Sequence, residues 1–268
     1  MDVHRDFLIA CIAATNAQGV TEYQSRRFST YTGSLRELRD WLLANDCKDV
    51  CMESTGKYWF PVHNILEESC HVVVSHPKFV KAIKGKKTDK KDAQWIADLF
   101  KHDLVRGSFI PPKDIRQLRD LCRYWVKLSS YMTGEKNRAQ NCLTVSNFKL
   151  DDVFSNVFGK SASAITTQLL EHPGEQFDVA PFVDGRCKTP IAQIQEAVDG
   201  IFTYEQAEKL KIIRGHMDSL ERHKAELESL ILEIAQNYLP QIELLLTVPG
   251  IHDAFTAIRI LAEIGADM

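Results

Sequence analysis

Four acidic residues carry the types that metal-dependent phosphoryl chemistry requires: Asp2, Glu53, Asp89 and Asp92. Hard divalent cations take oxygen ligands and keep several waters. Two such ions roughly 4 Å apart activate an attacking oxygen and stabilise a leaving one. Asp2 opens a run of strand-forming residues, and by the period of two His4 and Asp6 share its face. Glu53 closes a second short apolar run, directly before the turn Ser54-Thr55-Gly56. Asp89 and Asp92, three apart at the start of a helical pattern, share one helix face. Carboxylates at strand ends and on one helix face can converge at the edge of a sheet. Each also has a plainer reading. Asp89 suits a helix N-cap and Asp92 an N3 position that favours the dipole. Glu53 could cap the next helix, and Asp2 could be a surface residue. His4 reads as a core or hydrogen-bonded histidine rather than a ligand. What favours Mg2+ or Mn2+ beside a polyanion is the combination, surrounded by Lys84, Lys86, Lys87, Lys90 and Lys91.

The elements that must position these acids are legible as patterns. Residues 2–14 read as one strand, closed by a turn at Asn16 to Gly19, and 20–29 as a second. Leu35, Leu38, Trp41 and Leu42 mark a helix over Thr32 to Asn45. Asp49 to Glu53 is a short buried strand, Lys57 to Ser69 a helix, and His71 to Ser75 a strand. A helix from about Asp89 to His102 follows the lysine-rich stretch. An antiparallel start followed by alternating strands and helices predicts an α/β domain with a mixed sheet over residues 1–110.

The rest reads as helical. Asp114 to about Val145 forms one long helix carrying Leu118, Leu121, Cys122, Trp125, Leu128 and Met132, within a helical region over 111–205. In 206–240 two apolar series run at heptad spacing, Leu210, Met217, Lys224, Ile231, Tyr238 and Ile213, Leu220, Leu227, Ile234. They predict a coiled coil and self-association through 210–238, the other reading being an amphipathic helix packed within the chain. In 241–268, Val248-Pro249-Gly250-Ile251-His252 between two helical stretches resembles a helix-hairpin-helix. The apolar face of Phe255, Ile258, Leu261 and Ile264 is expected to lack a partner, as in a C-terminal domain cut short.

A composition of 44% hydrophobic and 26% charged residues is that of a soluble globular protein. No apolar run is long enough for a membrane span, and no secretory leader pattern opens the chain. The seven scattered cysteines lack a CxxC pair, so zinc on Cys47, Cys51 and His63 is disfavoured. Reduced thiols in a cytoplasm are expected. Net charge is −3, yet His76 to Gln140 holds 16 Lys or Arg against 7 Asp or Glu. That asymmetry predicts a basic face for nucleic acid, with Arg119, Arg123, Lys136 and Arg138 joining the lysines. The competing reading is a solvated lysine-rich surface.

Ordered motifs then resemble the DEDD transposases of the insertion-sequence one-ten family. They are Asp2-Val3-His4-Arg5, Met52-Glu53-Ser54-Thr55-Gly56-Lys57-Tyr58-Trp59, Lys87-Thr88-Asp89-Lys90-Lys91-Asp92-Ala93, Leu118-Arg119-Asp120-Leu121 with Arg123-Tyr124, and Lys136-Asn137-Arg138. The likeness covers about residues 2–145 and resumes at 248–268. It implies a RuvC-like, RNase-H-type domain whose four acids bind magnesium, a coiled coil for subunit assembly, DNA as substrate and a structured guide RNA. It also implies a serine nucleophile from a C-terminal domain, a role matched by none of Ser54, Ser129, Ser130, Ser161 or Ser163. The chain is therefore expected to be inactive alone in strand exchange. The rival readings are a RuvC-like structure-specific nuclease and a non-catalytic nucleic-acid-binding remnant.

Overall fold

The computed structural model describes residues 1–80 and 88–266. It divides into two compact units, Met1–Ile110 and Pro111–Met268.

In the first unit, β1 (Asp2–Val3), β2 (Phe7–Thr15) and β3 (Thr21–Ser29) form an antiparallel sheet in that order. After α1 (Thr32–Ala44) comes β4 (Asp49–Glu53), then α2 (Trp59–Leu66), then β5 (His71–Ser75), parallel to β4 with Glu53 opposite Ser75. The short α3 (Pro77–Val80) and α4 (Asp89–Lys101) complete the unit's helices among the described residues. This is the mixed α/β start that the patterns predict, of RNase-H-like order. One expectation is corrected. Residues 2–14 are not one strand, because His4 N–H donates to Phe7 O at 2.9 Å and turns the chain back. Asp2 pairs with Ile9 and Val3 with Leu8 across that turn. Thr30 fastens it, its hydroxyl donating to Arg5 O at 2.7 Å. Asp6 therefore sits in the turn, exposed, and does not share the face of Asp2.

Helices cover both sides of the strands. Val3, Leu8, Ala10, Ile12, Val50 and Met52 share a core with Leu35, Leu38 and Leu42 of α1 and Val62 and Leu66 of α2. Cys51, between Val50 and Met52, packs on the opposite side with Val80 and with Ile96 of α4. A strand buried on both faces reads as a continuous apolar run, which is why Val50-Cys51-Met52 shows no alternation. The amino group of Met1, buried, donates to Cys51 O at 2.6 Å and draws β1 against β4.

The second unit is helical. α5 (Lys113–Val145) is followed by α6 (Leu150–Val153), α7 (Lys160–Glu171), α8 (Ile191–Ala197), α9 (Tyr204–Ala235), α10 (Leu239–Leu246) and α11 (Ala254–Ile264). Leu143, Leu150, Ile165, Ile194 and Leu210 centre one core. The heptad face of α9 lies on α5 of the same chain, with Leu220 and Leu227 against Leu128. Lys224, a cation at a heptad position of that seam, lies 4.2 Å from the centroid of the Trp125 ring, and Trp125 Nε1 donates to Glu228 at 2.8 Å. Three of the four apolar residues expected to lack a partner on α11 are covered, Phe255 in part, while Ile264 stays exposed. Ile258 and Leu261 are buried with Ile115 and Leu118 of α5 and Ile242 and Leu245 of α10, because α11 folds back onto the start of α5.

Leu220→Ala is expected to destabilise this unit by about 2–4 kcal/mol. The loss, read by denaturant unfolding, is expected to be the same at all protein concentrations, since the partner of Leu220 is α5. A concentration-dependent loss would mean that chains share the seam.

Candidate metal centre

Alternation places two acids on one side of the first unit. Val3 points into the α1–α2 core, so Asp2 points the other way, towards α4. By the same rule Met52 joins that core, while Glu53 follows Cys51 to the α4 side. Glu53 ends β4, half-buried, and accepts a hydrogen bond from Thr55 Oγ1 at 2.9 Å.

α4 brings the other two. Its N-cap is Thr88, whose hydroxyl accepts from Lys91 N–H at 3.4 Å, so the capping role expected of Asp89 is taken by its neighbour. Asp89 and Asp92 stand in the first turn with their carboxylates free of that task. α4 packs across β1, β2 and β3 and touches β4. Ala93 and Ile96 are buried beneath it. Tyr23 OH donates to Asp98 Oδ1 at 2.6 Å, and Lys101 Nζ donates to Thr21 Oγ1 at 2.6 Å and to Thr15 Oγ1. These contacts fix the helix along its length and so fix its first turn.

There His4 Nε2 lies 3.1 Å from Asp2 Oδ2 and 3.8 Å from Asp89 Oδ1. One ligand atom each from Asp2, His4 and Asp89 falls within 4.8 Å of the other two. Among the described residues Glu53 and Asp92 join no group that tight, nor do Cys47, Cys51 and His63. Asp92 is still close enough to act on Asp2. Burial pushes the Asp2 carboxyl above its ordinary range; the Asp89 and Asp92 charges push it further, and His4 opposes them. The sequence patterns place His4 on the face of Asp2 and read it as a hydrogen-bonded histidine, and it does sit within hydrogen-bond distance of Asp2. Its place two residues after the first acid was the available signal.

This donor set fits a divalent cation. The half-buried Asp2 carboxyl, raised by burial and by the neighbouring Asp89 and Asp92 charges, is relieved by positive charge, and hard oxygen donors suit Mg2+ or Mn2+.

Lys90 and Lys91 are exposed beside Asp89 and Asp92. Lys84, Lys86 and Lys87 lie outside the described residues. In the second unit Arg119 and Arg123 are engaged in a way the basic-face expectation did not anticipate. Arg119 donates to the carbonyls of Ala262 at 2.7 Å and Glu263 at 3.0 Å, at the end of α11. Arg123 donates to both carboxylate oxygens of Glu263, at 2.8 and 2.7 Å, and holds that carboxyl below its ordinary range. Lys136 and Arg138 remain exposed, Lys136 over the Phe158 ring at 5.5 Å and Arg138 paired with Glu135 at 2.9 Å.

Residues 1–147 match the family DEDD_Tnp_IS110, described as Transposase. The match contains all four acids and the whole basic stretch from His76 to Gln140. No curated protein matches the chain.

Arg119→Ala is expected to lower the stability of the second unit by about 2 kcal/mol, because the last carbonyls of α11 lose a charged donor. Binding to nucleic acid should keep its salt dependence in this variant. A flattened salt slope with unchanged unfolding would assign Arg119 to nucleic acid instead.

Proposed function

Because the chain belongs to the DEDD_Tnp_IS110 transposase family, a family of insertion-sequence recombinases that act on DNA, we propose that Asp2, Glu53, Asp89 and Asp92 form its metal-dependent strand-transfer centre. The observation that carries this is the meeting of Asp2 from β1 with Asp89 from α4, beside His4 and under the charge of Asp92. A divalent cation held there would stabilise charge on the scissile phosphate and on the leaving oxygen.

The chain's own residues do the rest. β1 and the N-terminal turn of α4 hold Asp2 and Asp89 in place before any substrate arrives, so little reorganisation accompanies binding. Thr88 takes over the N-terminal amide of Lys91, which leaves Asp89 and Asp92 available as oxygen donors. Thr55 orients Glu53 through its hydroxyl. Lys90 and Lys91 stand next in sequence to the two aspartates, where they can neutralise backbone phosphates beside the acids. Lys136 and Arg138 offer exposed positive charge in the second unit for DNA or for a structured guide RNA. The attacking serine that the family resemblance implies is assigned to no residue of this chain. Assembly of more than one subunit is part of the same reading. Since α5 covers the heptad face of α9, surfaces other than that face would have to carry it.

Calorimetric titration with Mg2+ and Mn2+ tests the centre. Glu53→Gln and Asp92→Asn are each expected to weaken binding at least tenfold, and unchanged affinity in both variants would remove the proposal. For the lysines, Lys90→Ala with Lys91→Ala is expected to flatten the log–log salt dependence of DNA binding by up to about one unit per lost contact. A slope equal to that of the unaltered chain would show that both are merely solvated.

A further inference from the structure

Beyond the four acids, the geometry points to His4 as a fifth donor: we infer that its Nε2 coordinates the same divalent ion as Asp2 and Asp89. This rests on the metal centre proposed above. Around a six-coordinate ion with bonds of about 2.1 Å, adjacent ligand atoms lie ~3 Å apart and opposite ones ~4.2 Å. The 3.1 Å from Nε2 to Asp2 matches an adjacent pair, and the 3.8 Å from Nε2 to Asp89 lies between the adjacent and opposite separations. All three donor atoms lie within 4.8 Å of one another, so side-chain shifts of about an ångström or less bring them into a single coordination sphere.

The ring is also held for the purpose. It packs on Phe7, with centroids 4.7 Å apart and planes 32° from parallel. The Arg27 guanidinium lies 4.0 Å from the Phe7 centroid. The backbone of His4 is fixed to Phe7 by the hydrogen bond that closes the β1–β2 turn. These contacts restrain the imidazole while its Nε2 edge meets the two carboxylates.

The inference has a consequence for the choice of ion. Mg2+ is bound through oxygen and gives up water reluctantly, whereas imidazole suits transition ions. A histidine in the set shifts preference towards Mn2+. An all-carboxylate site would not make that distinction.

The test uses Mn2+ as the probe and the full chain. Electron spin echo modulation of bound Mn2+ is expected to show coupling to a directly bonded nitrogen, and growth on 15N-histidine should change that coupling in the unaltered protein. In His4→Ala the coupling should vanish, with Mn2+ affinity falling about tenfold or more and Mg2+ affinity falling less. His4→Asn, which can keep a hydrogen bond to Asp2, should lose the coupling too. Bound Mn2+ without nitrogen coupling overturns the inference and leaves the carboxylate centre standing, His4 then being only a hydrogen-bond partner of Asp2. Coupling retained in His4→Ala assigns it to another histidine and overturns the inference as well. Absence of Mn2+ binding by the unaltered chain overturns the centre and the fifth donor together.

Discussion

A half-buried carboxylate beside two others is repelled by them, and the first unit holds Asp2 there nonetheless. Asp2 is withdrawn from water by β2, β4 and α4, and the carboxylates of Asp89 and Asp92 act on it across the strand–helix contact. Electrostatic interactions strengthen as water is excluded, so this crowding is opposed by the packing that surrounds it. The opposing contacts are identifiable. Ala93 and Ile96 bury the inner face of α4, Tyr23 holds Asp98, and Lys101 reaches two threonines at the far end of the β2–β3 hairpin. A helix anchored along three turns cannot swing its first turn away from β1. The strain of gathering the acids is thus carried by ordinary core and surface contacts some distance from them.

The same economy of polar groups shapes the second unit. Its two long helices meet along an apolar seam in which the cation of Lys224 is accommodated by the face of Trp125. That pairing fixes which turn of α9 faces which turn of α5, as a polar residue in a seam is able to do. At the other end of the helix pair, two arginines close off α11, one on its final carbonyls and one on Glu263. Positive charge in a basic stretch is therefore of two kinds. Part completes the fold, and part, such as Lys136 and Arg138, faces solvent.

Much of this architecture could be read without coordinates. The spans of β4, β5, α4 and α5 follow from apolar runs, helical periodicity and their boundaries, all of which are local properties. The meeting of Asp2 with Asp89 was legible because a strand end and a helix face are places from which side chains converge. The family likeness rests on short ordered motifs, and the matched residues 1–147 contain them. The division of Lys, Arg, Asp and Glu along the chain was equally plain.

Other features depended on what lies far away in sequence. The turn at His4 breaks a run that reads as one strand, because Thr30 and the pairing with β2 stabilise a reversal that composition does not announce. Thr88 rather than Asp89 caps α4, a choice between adjacent residues that hydrogen-bond geometry makes. The heptads of α9 specify an apolar stripe and a spacing, but a stripe is satisfied equally by a second chain or by α5. The identity of the covering surface is a property of the whole fold. The guanidiniums of Arg119 and Arg123 carry the same charge whether they meet phosphate or Glu263. What the sequence determined by itself was which residue types recur at which local spacing. Which groups face one another was decided by tertiary packing, since contact between distant segments is where burial, charge and hydrogen bonding are settled together.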